Sequence, residues 1–257
     1  MSEAVEERER REAAAYADEA MTRANEAWQQ RFSHIPFGPT TMRGWDTAFG
    51  LIADKLGDHA HVLDVGCGPG RYTHRVKQLG ATYVLGYDIS SHYVNRADRD
   101  FGVSGELEFR VHSAHQPIDG MFDVVCGFAV LHHLDFRSIL PKMYEHDLKP
   151  GGRMVFWEPM SHPCTIAFHK LVRNAHSDDE WPITPSDVRW LRSTFPQVLV
   201  RPVNLVALLT NAASSLMMSA PDNLLSRLGD RIDRRIERRN RVAPYGQMGI
   251  IAIDKPV

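Results

Sequence analysis

Cysteine is scarce in this chain: Cys67, Cys126 and Cys164 are few, odd in number and widely spaced. A disulfide framework and a zinc cluster are thereby excluded, and reduced thiols in a cytoplasmic setting are expected. An excess of charge of one sign is also missing, with 30 Lys and Arg against 32 Asp and Glu and a formal net charge of -2. No overall basic field advertises nucleic acid as a partner. Long apolar runs are absent too. The longest, around Val203 to Met218, is interrupted by Asn204, Thr210, Asn211, Ser214 and Ser215. It is too polar and too short for a membrane span and reads instead as a buried helix or a lid. The opening residues Met1 to Arg8 are acidic and polar where a secretory signal has positive charge followed by apolar residues, so export is not expected. No internal repeat or low-complexity linker interrupts the chain.

What is present is 257 residues, 43% of them apolar, enough to bury one sizeable core without disulfides or a structural metal. From Ala4 to about Phe32 the chain is rich in Ala, Glu and Arg and has neither Gly nor Pro. This predicts a long solvated helix with Tyr16, Ala20, Ala24, Ala27 and Trp28 as its apolar positions. Pro36, Gly38 and Pro39 predict a break over Ser33 to Thr41. Next come a helix over Trp45 to Leu56 and a strand at His61 to Val65. Helices over Arg71 to Leu79 and Ser91 to Phe101 then alternate with strands at Ala81 to Tyr87 and Leu107 to Val111. A strand at Phe122 to Cys126, a helix from about Arg137 to Asp147 and a strand at Arg153 to Glu158 complete the regular part. Such βα order calls for a parallel sheet with helices on both faces. Beyond Glu158 the pattern loosens: a helix over Ser186 to Phe195, a strand at Gln197 to Val203, helices over Val206 to Ser219 and Asn223 to Arg241, and a strand at Gln247 to Asp254. In the last of these helices Arg231, Arg234, Arg235, Arg238, Arg239 and Arg241 alternate with Asp230, Asp233 and Glu237. Two readings are open, a solvated amphipathic helix or a face that docks a partner or an anionic surface.

The most specific feature is Val62-Leu63-Asp64-Val65-Gly66-Cys67-Gly68-Pro69-Gly70, an apolar strand set directly against a glycine-rich turn. Glycines permit positive φ and close approach of a ligand to the backbone, and a helix opening near Arg71 offers its positive end to an anion. A dinucleotide fingerprint needs glycine at position 71, where Arg71 stands. Three further segments follow in order: the strand ending at Asp88, then Phe122 to Leu134 with its His132-His133 pair, then Leu148-Lys149-Pro150-Gly151-Gly152-Arg153.

Over roughly Trp45 to Glu158 this succession resembles the class I S-adenosylmethionine-dependent methyltransferases. The resemblance implies a Rossmann-like, doubly wound α/β fold of seven strands with an antiparallel last strand inserted beside the fifth. Residues 1-44 become an N-terminal helical lid segment, residues 45-257 the methyltransferase domain, and 204-243 a helical insertion. The implied cofactor is S-adenosylmethionine, held by Asp64, Gly66, Cys67, Gly68, Gly70, Asp88, Ile89, Ser113, Ala114 and Phe128. Asp88 would accept hydrogen bonds from the ribose hydroxyls and Ile89 would pack on adenine, while Asp64 either caps the glycine turn or helps organise the methionine end. Ser113 stands where many relatives have an adenine-binding Asp, which leaves a weaker, uncharged acceptor. Phe128 either faces the sulfonium or packs in the core.

A base is not obligatory for a displacement at an already activated methyl, but His132, His133 and Glu158 are the candidates. His112 and His115 lack the carboxylate or thiol company of a metal site, and no metal is expected. His162, His169, Trp157, Trp181 and Trp190 are candidates for an acceptor pocket, with Tyr16, Trp28 and Phe37 on the opposite wall. The expected activity is methylation, at O or N, of a small specialised or lipid-like molecule. Methylation of tRNA or protein, or a non-catalytic binding role on the same fold, stand as alternatives. The first is disfavoured for nucleobase amino groups by Gly127-Phe128-Ala129-Val130, which replaces an Asn-Pro-Pro-Tyr-type segment.

Overall fold

A computed structural model describes residue 7 and residues 30–164, 166–167, 181–237 and 245–257. The helix expected from Ala4 falls almost wholly outside the described residues, with Tyr16 and Trp28 among those not covered. Helix α1, His34–Phe37, ends at Gly38, and α2, Pro39–Ala53, starts at once. The break expected over Ser33 to Thr41 is therefore reduced to the turn at Ser33 and the bend at Gly38. Pro39 opens the helix because its fixed φ suits the first turn, where its missing N–H is not needed. Gly38 is packed so closely that a Cβ there would lie 2.5 Å from the Asn211 side-chain amide.

The alternation then runs β1 His61–Val65, α3 Arg71–Gln78, β2 Tyr83–Asp88, α4 Ser91–Phe101, β3 Leu107–Val111 and β4 Phe122–Phe128. A 3-10 turn at Leu131–His133 leads into α5, Phe136–Lys142. The helix expected through Asp147 gives way at Met143 to a wider π turn just after Pro141, which has no N–H to continue the α ladder. Strand β5 runs from Leu148 to Pro159, so the Lys149-Pro150-Gly151-Gly152 segment belongs to the strand as an irregularity where pairing with β4 shifts register. After it come α6 Pro185–Thr194, β6 Gln197–Val203, α7 Ala207–Met217, α8 Leu224–Ile236 and β7 Met248–Asp254.

The strands form a seven-stranded sheet in the order β3-β2-β1-β4-β5-β7-β6. β1 to β5 pair in parallel, and β7 runs antiparallel between β5 and β6. Side chains alternate between two cores. Leu63, Leu85, Val125, Met154 and Phe156 pack toward α5 and α6 on one face. Val62, Val84, Val124, Val155 and Trp157 pack toward α2, α3 and α4 on the other. Strand order reverses between β1 and β4, and a cleft opens outside the carboxyl ends of the strands at such a switch point.

Helices α7 and α8 form the insertion between β6 and β7. They pack on each other and on α1 and α2. The buried Asp233 carboxylate of α8 accepts N–H bonds from Leu205, Val206 and Ala207, and so caps the start of α7. Arg43 of α2 donates to both carboxylate oxygens of Glu237 at 2.8 Å and to Asp230 at 3.1 Å. In α1, the His34 ring meets Ser214 Oγ at 2.7 Å.

Candidate active site

The cleft has a volume of about 250 Å³ and is lined by the ends of β1, β2 and β4 and the loops that follow them. Gly66 and Gly68 stand on its floor with φ of 65° and 51°. A Cβ on Gly66 would lie 2.4 Å from Val130 Cγ2, so only glycine lets the chain after β4 close over the loop. At Gly68 a Cβ would meet nothing, and it is the positive φ that favours glycine there. Gly70 is different. It does not line the cleft, and its missing Cβ makes room for Ala97 and Phe109, so it serves the packing of helix against sheet.

Asp88 closes β2 and faces the cleft. Its Oδ2 accepts the Gly68 N–H at 2.9 Å and its Oδ1 the Ser90 N–H at 2.8 Å. One carboxylate thus ties the glycine loop to the start of α4, whose N-cap is Ser90. Ile89, Ala114 and Phe128 also line the space, together with His112 and His133.

Other expected contacts lie elsewhere. Cys67 turns inward and is buried, its N–H donated to the Tyr87 carbonyl at 2.9 Å, and burial pushes its thiol pKa well up. Ser113 is buried below the rim, where its hydroxyl accepts the His115 N–H at 3.1 Å. Asp64 lies beneath the glycine loop rather than in the cleft. Its carboxyl accepts from Thr73 Oγ1 at 2.7 Å and is approached by Cys126 Sγ at 3.8 Å. Burial raises its pKa to about 7, against the lowering effect of the Thr73 hydroxyl and with a further rise from nearby Asp88.

Glu158 is fully buried. Its Oε1 accepts N–H bonds from Val130 and Leu131, each at 2.9 Å, and its Oε2 accepts from the His132 ring at 2.9 Å and the His132 N–H at 3.3 Å. The carboxylate therefore caps the 3-10 turn and orients His132, which corrects its reading as a base in the cleft. His132 is held back with it. Of the three expected acid–base groups, His133 is the one on the cleft wall. The turn that makes this possible passes through Ala129 at φ 59°, whose N–H donates to the Trp157 carbonyl at 2.7 Å.

Trp157 stacks on Trp45 of α2 at 4.1 Å between centroids, and Trp45 stacks on Tyr72 at 4.8 Å. Phe128 leans on both Trp45 and Tyr72, so an aromatic wall stands behind the β4 side of the cleft. Trp190 instead packs with Phe136 and Phe195 on the far core, and Trp181 is exposed. His162 is satisfied internally, its ring meeting the Leu205 carbonyl at 3.1 Å and accepting the Cys164 N–H at 3.0 Å, and burial lowers its pKa. His169 lies outside the described residues, and among those described no group of His, Cys, Asp and Glu could hold a metal. Sequence reasoning missed Tyr93, which lines the cleft. The signal was available: Ser90 as N-cap puts residue 93 in the first turn of a helix that starts beside Asp88.

The family model described as a methyltransferase domain matches residues 63–156. That stretch of the chain is similar to a methyltransferase domain. Around it, the sheet order and the antiparallel β7 make the fold that of the class I, S-adenosylmethionine-dependent methyltransferases. Among curated relatives, the domain is similar to a 27-O-demethylrifamycin SV methyltransferase of Amycolatopsis mediterranei, 31% identical over 44% of this chain and 43% of that protein. It is also similar to phosphoethanolamine N-methyltransferase 1 of Arabidopsis thaliana, 32% identical over 40% of this chain and 22% of that protein. The chain spans less than half the length of the curated relatives it matches first. The fold extends further than the sequence likeness. The N-methyltransferase NodS from Bradyrhizobium japonicum WM9 superposes with a TM-score of 0.55 at 13% identity, over 86% of this chain and 89% of that one.

Proposed function

We propose that this chain binds S-adenosylmethionine in the cleft and transfers its methyl group to an oxygen or nitrogen of a small-molecule acceptor. The observation that carries the reading is Asp88, a strand-end carboxylate that lines the cleft and ties the Gly68 loop to the start of α4. Vicinal ribose hydroxyls donate to a carboxylate so placed. The glycine loop at Gly66 and Gly68 admits a ligand against the backbone, and Ile89, Ala114 and Leu134 give an apolar lining suited to a flat base. When bound, S-adenosylmethionine supplies a methyl group already activated by a sulfonium. Phe128 offers an aromatic face that attracts such a cation, and its stacked neighbours hold it in place. The protein's work is alignment and exclusion of water. His133 is the group we assign to take the acceptor's proton, on a turn fixed by Glu158. Segments 1-44 and 204-243 are assigned to the acceptor side, since α7 and α8 follow the carboxyl end of β6 and pack on α1 and α2. The relatives named for rifamycin and phosphoethanolamine methylation support a small acceptor, and the three free thiols support a cytoplasmic setting.

Calorimetry with S-adenosylmethionine and its demethylated product tests the reading. Asp88→Ala should weaken binding by about 1.5–3 kcal/mol, the range for hydrogen bonds to a charged group, and NAD should not bind. His133→Phe should leave that affinity intact while lowering turnover of labelled methyl by roughly 100-fold or more. Unchanged affinity in the Asp88 variant overturns the cofactor site, and unchanged turnover in the His133 variant removes the base.

A further inference from the structure

Helix α8 separates its charges with a regularity that packing alone does not require. At 100° per residue, Asp230, Asp233 and Glu237 fall on one side, and all three are engaged inward, with Arg43 or with the start of α7. The opposite side carries Leu224, Leu228, Arg231 and Arg235 as one stripe, flanked by Arg227 and Arg234. Asp222 pairs with Arg227 and Asp230 with Arg234. Among the described residues no carboxylate pairs with Arg231 or Arg235.

Beside this stripe, at the tip of the α7–α8 hairpin, stands apolar surface that the fold leaves to solvent. Leu224 is 84% exposed, Met217 71% and Leu216 61%, and Met218, Leu228 and Leu209 are exposed as well. On the neighbouring α1, Phe37 is 61% exposed. Leu216, Met217, Met218 and Leu224 gather around the turn between α7 and α8 and make a patch of the kind that marks an interaction site, with Leu228 farther along α8, Leu209 near the start of α7 and Phe37 on α1. No helix among the described residues is long and apolar enough to cross a membrane.

We propose that the outer face of the α7–α8 hairpin docks on an anionic lipid bilayer, with Leu216, Met217 and Leu224 inserted at the headgroup boundary and Arg231 and Arg235 on the acidic headgroups. The occupant follows from the combination. An acidic nucleic acid would satisfy the arginines and leave the methionine and leucine tip unused, whereas an apolar tip continued along α8 by Arg231 and Arg235, with Asp222 already paired to Arg227, matches a charged interface with an oily interior. The chain as a whole has a formal net charge of -2, so the attraction is local to this face. The inference is independent of the acceptor's identity and of the cofactor assignment.

The test is flotation of the full chain with vesicles of phosphatidylcholine alone or with 30% phosphatidylglycerol. Binding is expected only to the anionic vesicles, and to weaken in 0.5 M salt. Each basic residue near such a surface is worth about fivefold in affinity. R231E/R235E should therefore lower binding at least tenfold, and M217S/L224S should do the same through lost insertion. Both variants alter exposed side chains away from the cleft, so both should keep the calorimetric affinity for S-adenosylmethionine. Failure of this proposal is thereby told apart from failure of the cofactor site. No binding to either vesicle overturns it. So does loss in the charge variant alone, which would leave a simple basic surface. Sedimentation of the full chain as a dimer that M217S/L224S dissociates would assign the patch to a second copy and overturn it as well.

Discussion

At the scale of single residues, burial decides what a carboxylate does. Asp64, Asp88 and Glu158 all end or interrupt strands that point at one cleft, yet only Asp88 faces it. The folded pKa of Asp64, about 7, lies above the 3.8 of an unburied carboxyl. Between those values the folded chain holds a proton that the unfolded chain has released. The contribution of Asp64 to stability is therefore greatest near pH 4 and falls as pH rises, to become constant above about 7. In urea unfolding of the cofactor-free protein, the stability difference between wild type and Asp64→Asn should change by about 1.4 kcal/mol per pH unit between pH 5 and 6.5. A difference independent of pH over that interval would show that the buried carboxyl ionises normally. Asp88 was legible in the sequence because its position follows from glycine spacing and strand length, both local. Glu158 was not. A carboxylate at a strand end can face a cleft or curl toward neighbouring backbone, and here the left-handed turn at Ala129 returns the Val130 and Leu131 amides to it. Nothing near Glu158 in the sequence announces that turn.

Among the elements, strands β1, β3 and β6 and helix α4 have the limits that their patterns predict, since each is bounded by its own turn chemistry. Helix α2 departs from its expected start because Pro39 reads as a breaker to any local rule, while Gly38 alone completes the turn. The clamp between α2 and α8 was invisible for another reason. Arg43 and Glu237 are far apart in the chain, and a charge pattern on one helix does not name its partner on another. With both groups shielded but not fully buried, Arg43→Ala should cost about 1–3 kcal/mol, less than the loss of a fully buried pair. Hydrogen exchange should report where: faster exchange in α7 and α8, with β1, β4 and β5 unchanged. Uniform acceleration across the sheet would mean that the hairpin is part of one cooperative unit and not a separable cap. His34, Ser214 and Gly38 against Asn211 make the same joint from the α1 side, so the loss is expected to be partial.

For the molecule as a whole, the assembly of the cleft has a thermodynamic signature. Its walls come from β1, β2, β4 and α4, and a ligand that needs all of them binds the folded chain alone. S-adenosylhomocysteine at 100 times its dissociation constant should add about 2.7 kcal/mol to stability. In a chain of this length that corresponds to a rise in Tm of about 5–10 °C, readable by scanning calorimetry. NAD at equal concentration should leave the transition where it was, and a rise with NAD or none with S-adenosylhomocysteine would remove the cofactor reading.

The place of β7 between β5 and β6 also sets the order in which a nascent chain can finish. Within the sheet β6 pairs only with β7, and β7 leaves the ribosome after the other six strands. Until residues 248–254 emerge, β5 presents an open edge and β6 has no neighbour to receive it, while the segment at residues 63–156 that builds the cleft is already outside. The cofactor cleft is thus built early and the sheet closed late. Chains stalled before Met248 expose two unpaired edges, which makes them substrates for chaperones or seeds of aggregation.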